Sequence, residues 1–111
     1  HPDVATSLNN LALLYKAQSR YNRAETLYNR AIVVTEKSLG IDHPHVAITL
    51  TNLAVLYFAQ ERYEKAEPLF KRALEIQEKV LGLGHPQTAS TRNNLALLYE
   101  VQGKSREVKA A

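Results

Sequence analysis

The apolar positions of this chain fall into helical stripes that break and restart. From about residue 3 to residue 18, Val4, Leu8, Leu11, Ala12 and Tyr15 recur at spacings of three and four, which predicts a helix with one buried face. Pro2 stands where a first turn tolerates a missing N–H. Ser19-Arg20 interrupts the phase. Tyr21, Ala24, Leu27, Tyr28, Ala31, Val34 and Ser38, with Leu39 beside them, then predict a second helix ending near Leu39. Gly40 suits a left-handed cap, Ile41-Asp42-His43-Pro44 reads as a turn, and Asp42 is placed to cap the helix that follows.

The same pattern returns with Val46, Leu50, Leu53, Ala54 and Tyr57, then with Tyr63, Ala66, Leu69, Phe70, Ala73, Ile76 and Val80, and Gly82 closes it. Asn10-Leu11-Ala12-Leu13-Leu14-Tyr15 reappears as Asn52-Leu53-Ala54-Val55-Leu56-Tyr57 and as Asn94-Leu95-Ala96-Leu97-Leu98-Tyr99, 42 residues apart each time. His1-Pro2, His43-Pro44 and His85-Pro86 keep the same step, and residues 1–42 and 43–84 agree at 23 of 42 positions. A fixed period of this size marks one supersecondary unit copied and stacked. The chain therefore reads as one domain, 1–111, holding repeat one (1–42), repeat two (43–84) and a partial repeat three (85–111).

Within each repeat the first helix is helix A and the second helix B. Pro68 lies early in the second helix B and reads as a kink, because Thr26 holds the same place in an uninterrupted stripe. In repeat three, helix A is expected to run through Gln102. Ser105 then replaces Tyr21 and Tyr63, and Val108 replaces Ala24 and Ala66, so Ser105 to Ala111 would supply at most two turns of helix B. Leu95, Leu98 and Tyr99 would lack a full partner, which predicts weak self-association through residues 92–111, or disorder there.

Composition narrows the function. With 45% hydrophobic residues over 111 positions the chain can bury a core, elongated as stacking requires. Its net charge of +3 comes from acids and bases that alternate, as in Glu61, Arg62, Glu64, Lys65 and Glu67, which marks a solvated helical face and argues against nucleic acid as a partner. Glu61–Lys65, Glu67–Lys71 and Glu75–Lys79 are i,i+4 pairs that support such a face. There is no cysteine, hence no disulfide or thiolate site, and no apolar run of membrane-spanning length, so no membrane partner is expected. The absent initiator Met and the short third repeat suggest an excerpt from a longer protein.

Leu8, Leu11-Ala12, Tyr15, Ala24 and Tyr28, and again Leu50, Leu53-Ala54, Tyr57, Ala66 and Phe70, answer the tetratricopeptide pattern, with a period eight residues longer than the usual 34. The 42-residue step, the leading His-Pro, the Asn-Leu-Ala-Leu-Leu-Tyr core and the Ala-Glu-x-Leu-Tyr/Phe of helix B together resemble the kinesin light chain type of tetratricopeptide repeat over nearly the whole chain. That resemblance implies an all-α fold, a right-handed superhelical array of antiparallel helix pairs. It also implies a non-catalytic scaffold that docks a peptide segment or partner protein in a concave groove lined by its A helices. A purely structural spacer or self-association element is the alternative.

On helix A, one side is expected to pack on helix B through Leu8, Leu11, Ala12 and Tyr15. The adjoining side carries Thr6, Asn9, Asn10, Leu13, Lys16 and Ala17, then Ile48, Thr51, Asn52, Val55, Phe58 and Ala59, then Ser90, Asn93, Asn94, Leu97, Glu100 and Val101. By resemblance this side is the peptide groove. A carboxamide both donates and accepts, so Asn10, Asn52 and Asn94 suit the backbone of an extended ligand, and they suit equally a buried tie between helices. Rungs spaced on the order of 10 Å span about 20 Å, or about six residues of extended chain. The lining of Leu13, Val55, Phe58, Leu97 and Val101, with only Lys16 and Glu100 charged, favours a mostly apolar segment over an acidic one.

His1, His43 and His85 recur one per repeat, too far apart to share an ion, and read as turn residues. No phosphate loop, thiol nucleophile or paired acid and base stands on one helix face, so no catalysis, metal or cofactor is expected.

Overall fold

A computed structural model describes the backbone over residues 2–110 and side chains over residues 4–103. Five helices follow one another: α1 (Pro2–Ala17), α2 (Tyr21–Leu39), α3 (Pro44–Ala59), α4 (Tyr63–Val80) and α5 (Pro86–Ala110). Helices α1 and α3 start 42 residues apart, as do α2 and α4. No strand is present among the described residues. Each helix packs on the next along the chain, α1 on α2, α2 on α3, α3 on α4 and α4 on α5, so the core is a strip running through the stack. The molecule measures 50 × 34 × 19 Å.

The turns inside the repeats are built alike. After α1, Ser19 takes φ 60°, its N–H bonds to the Lys16 carbonyl at 2.9 Å, and the Arg20 N–H reaches back to the Tyr15 carbonyl at 2.8 Å. After α3, Glu61 takes φ 59° and makes the same pair of bonds to Phe58 and, through Arg62, to Tyr57, both at 2.9 Å. These bonds satisfy the last carbonyls of helix A and reverse the chain within a few residues, which sets the two helices side by side and antiparallel.

Between repeats, Gly40 and Gly82 adopt φ 105° and 91°, a region a side chain rarely enters. Gly40 is more extended there than the left-handed helix expected of it. The cap of α3 also differs from the expectation. His43, not Asp42, is the N-cap: its Nδ1 accepts from the His45 N–H at 3.1 Å, with Pro44 following in the first turn. His85 repeats the device toward the Gln87 N–H at 3.1 Å. Asp42 instead faces Lys79 Nζ at 3.2 Å. His1 lies outside the described residues. Helix α4 runs unbroken through Pro68.

The core alternates small and large side chains. Ala12, Ala24, Ala31, Ala54, Ala66 and Ala73 are fully buried and let the helices approach closely, while Tyr28, Leu50, Leu56, Phe70, Ile76 and Leu98 fill the space between. Polar ties link the repeats. The Tyr57 hydroxyl donates to Glu25 Oε1 at 2.5 Å and Arg62 flanks the same carboxylate at 3.7 Å, while Arg72 Nη2 meets Glu36 Oε2 at 2.5 Å. Burial, then the Glu25 carboxylate, pushes the Tyr57 hydroxyl up to about 12.

Repeat three departs from the expectation. Gly103 stands where Ser19 and Glu61 turn the chain, yet α5 continues through it to Ala110, and no second helix starts at Ser105. The side chains of Ser105 and Val108 lie outside the described residues. Leu98, expected to lack cover, is fully buried against the stack, because its position faces the preceding helix B, here α4. Four expected core residues are exposed instead: Val4 and Leu11 on α1, and Ser38 and Val80, each in the last turn of a helix B.

Candidate functional site

The A helices α1, α3 and α5 carry the proposed groove residues at three levels, and the levels differ. At the first, Asn10 and Leu13 are exposed, Lys16 is half-buried, and Asn9 is committed elsewhere: its Nδ2 donates to the Ala5 carbonyl at 3.2 Å and across to Thr49 Oγ1 of α3 at 3.0 Å. At the second level, Thr51, Asn52, Val55 and Phe58 are all half-buried. The Thr51 hydroxyl donates to the Ala47 carbonyl at 2.9 Å, and Phe58 meets the Tyr63 ring edge-on at 5.3 Å. At the third, Asn94 and Val101 are half-buried while Asn93, Leu97 and Glu100 are exposed.

Two clefts sit at equivalent junctions between successive A helices. The first, lined by Ala5, Thr6, Asn9, Thr35, Leu39, His45, Ile48 and Thr49, holds about 20 Å³, room for roughly one water. The second is an open depression of about 330 Å³. Ile48, Thr51, Asn52, Gln77, Pro86, Gln87, Ser90 and Thr91 surround it. Four of these, Ile48, Thr51, Asn52 and Ser90, belong to the side of helix A that the sequence marks as a groove. Pro86, Gln87 and Thr91, from the start of α5, and Gln77, from α4, do not. Gln77 carries a legible signal: it follows Ala66, Phe70 and Ala73 at spacings of four, three and four, a polar residue on an otherwise apolar stripe.

The second cleft is lined by no ionisable side chain. Its chemistry is that of amides and hydroxyls against an Ile48 and Pro86 wall, suited to recognition and not to proton transfer. The histidines stand apart from it in their capping roles, where His43 and His45 also stack with ring centres 5.1 Å apart.

Comparison with known proteins agrees with this architecture. The sequence profile of the tetratricopeptide repeat family matches residues 3–79 and again 45–110, and the chain belongs to that family. BtubC (BKLC) from P. vanneervenii superposes with a TM-score of 0.83 at 28% identity, over 92% of this chain and 41% of its own. A Podosopora anserina kinesin light chain protein of nearly identical TPR-like repeats superposes with a TM-score of 0.81 at 27% identity, over 96% of this chain and 51% of its own. A single-residue variant of that protein gives 0.81 at 27% identity, over 96% and 50%. The repeats are thus of the kinesin light chain type, and this chain spans about half the length of those structures or less. No curated protein sequence matches it. Tetratricopeptide repeats of this kind are non-catalytic scaffolds that mediate protein–protein interactions. No helix among the described residues is long and apolar enough to cross a membrane.

Proposed function

We propose that this chain docks an extended, mostly apolar peptide segment along the faces of α1, α3 and α5 that carry Asn10, Asn52 and Asn94. The observation that supports it best is the open cleft at Asn52, where residues of two successive A helices leave room beside its half-buried amide. Asn52 is the middle rung. Its carboxamide is half-shielded from water, where hydrogen bonds to a ligand backbone count for more than at the exposed Asn10. The contacts are neutral, so binding should vary little with salt.

The test is calorimetric titration with an extended peptide selected on the wild-type chain. Asn52→Ala is expected to weaken binding by about 1–3 kcal/mol, with a smaller effect on unfolding. Equal affinities, or loss of the fold in place of loss of binding, would return the asparagines to a structural role. A second reading, self-association through residues 92–111, draws on Leu97 and Tyr99, which are largely exposed on α5. Mass that rises with concentration in the absence of peptide would favour it.

A further inference from the structure

The two junction clefts occupy the same place in successive repeats and differ at five lining positions, where Thr6 and His45 become Ile48 and Gln87 and three further changes alter the space itself. Asn9, which bridges to Thr49 and fills the first, is replaced in the second by Thr51, whose hydroxyl folds back onto its own helix. Ile48 is replaced by Ser90, which removes bulk from the facing wall. Thr35, whose hydroxyl is satisfied by the Ala31 carbonyl at 2.8 Å, is replaced by Gln77. Gln77 is only 2% exposed, and its Oε1 is buried without a hydrogen-bond partner. A buried acceptor left unpaired is costly; Asn9 Oδ1 is another, but its cleft holds no more than about one water, whereas Gln77 borders open space.

Two of the three hydroxyls in the lining are already engaged. Thr91 donates to the Gln87 carbonyl at 3.1 Å and Thr51 to that of Ala47, so both protons are engaged within their own helices. What the cleft presents to an incoming group is therefore the Gln77 amide at its floor and the Asn52 amide on its wall, with the Gln87 amide and the Ser90 hydroxyl beside them and no charge among the eight lining residues. A lysine or arginine entering here would lose hydration with no carboxylate to replace it, and an aspartate or glutamate no cation. An aliphatic side chain would leave the Gln77 oxygen unpaired. A carboxamide meets both demands, because its NH2 can donate to Gln77 Oε1 while its oxygen accepts from a neighbouring amide N–H.

We propose that the cleft between α3 and α5 is a specificity pocket for a neutral carboxamide side chain, glutamine or asparagine, carried by the bound peptide. This rests on the peptide-docking reading, and it makes one position of an otherwise backbone-read ligand selective. The pocket is particular to the junction of repeats two and three, since the equivalent space between α1 and α3 is closed by Asn9 and Thr49.

The test uses single-residue probes, so that it does not depend on finding the natural peptide. N-acetyl-glutamine methylamide is titrated into the labelled chain by NMR, beside the leucine, lysine and glutamate counterparts. The glutamine probe is expected to shift the amides of Ile48, Thr51, Gln77 and Ser90 and to bind about tenfold or more tightly than the others. Gln77→Leu, which removes the unpaired oxygen and should fold, is expected to abolish that preference. Gln77→Glu, which keeps an acceptor and adds charge, is expected to transfer it to the lysine probe. Equal shifts from all four probes, none from any, or a preference that survives Gln77→Leu would overturn the pocket and leave Gln77 holding water. Peptide docking itself is judged separately: selected peptides that bind through Asn52 but show no glutamine or asparagine position sink the pocket alone.

Discussion

Val4 and Val46 hold the same place in successive repeats, yet Val4 is 49% exposed and Val46 is fully buried. Leu14 is likewise 53% exposed where Leu56 and Leu98 are fully buried. Tyr99 shows the opposite asymmetry: it is 44% exposed, whereas Tyr57 is buried and Tyr15 half-buried. The three A helices differ in their neighbours, since α1 packs on α2, α3 on both α2 and α4, and α5 on α4. Positions 4, 14, 46, 56, 88 and 98 must therefore face the preceding helix B and positions 12, 54 and 96 the one that follows, while Tyr57 reaches both, its ring beside Lys65 of α4 and its hydroxyl on Glu25 of α2. Helix A is a two-sided wedge, and only α3 has both sides covered. Asn52 stands on that doubly flanked helix and is half-buried, as Asn94 on α5 also is.

The sharpest way to break this comparison is to truncate the same leucine in all three repeats. Leu56→Ala and Leu98→Ala should each cost about 2–5 kcal/mol, because each leaves a cavity in closed packing. Leu14→Ala should cost less than about 1 kcal/mol, since half of that side chain is already wet. Urea unfolding measures all three, and equal losses at Leu14 and Leu56 would refute the two-sided assignment.

Tyr57 sharpens it through pH. It joins α3 to Glu25 of the preceding repeat, and its hydroxyl titrates at about 12 in the fold against about 10 in the unfolded chain. A raised value means that the neutral form is favoured by folding, so the contribution is complete below pH 10 and is lost as pH rises to 12. Tyr28, raised by burial alone, adds in the same direction. Alkaline titration of stability should therefore fall more steeply in the wild type than in Tyr57→Phe, and an unchanged slope would show that folding does not hold the Tyr57 hydroxyl neutral.

A third measurement concerns the position that Val46 and Thr88 share. Both are fully buried, but the Thr88 hydroxyl has no hydrogen-bond partner. Thr88→Val should stabilise the fold by about 1–2 kcal/mol by restoring what repeat two already has. A loss of stability would mean that the hydroxyl is satisfied, and that this junction is wetter than its counterpart.

Much of this is legible in the sequence, and the failures have identifiable causes. The period places α1 to α4 closely, because Leu11, Leu53 and Leu95 recur in phase and Gly40 and Gly82 mark the joints. It does not distinguish neighbours: a helical stripe tells which residues are buried and not by which helix, so it pairs Leu11 with its own helix B although in α1 that leucine is 40% exposed. Asp42 reads as the cap because cap preference ranks Asp first and cannot see that an imidazole Nδ1, here that of His43, also reaches an N–H two residues on. The second cleft is half legible. Its A-helix residues follow from phase and Gln77 stands out as a polar residue on an apolar stripe, while the opening residues of α5, Pro86 and Gln87, enter only when repeats stack.

The last comparison is between Gly103 and its counterparts, Ser19 and Glu61. The latter two hold left-handed conformations that glycine would adopt with less strain, and glycine occupies the one position of the three where the helix runs on. Local preference and observed backbone therefore oppose each other, and the sign of one substitution decides between them. In a continuous α5, Gly103→Ala replaces a poor helix residue with the best one and should stabilise by about 0.5–1 kcal/mol, the space around its Cβ being open. If the chain instead turned at 103 as it does at 19 and 61, the alanine Cβ would be forced into a left-handed conformation and the same change would cost about 1–2 kcal/mol. Glu61→Gly is the control, since relief of its positive φ should raise the urea midpoint slightly. A destabilised Gly103→Ala beside a stabilised Glu61→Gly would end the case for an unbroken α5 and restore a third hairpin to the stack.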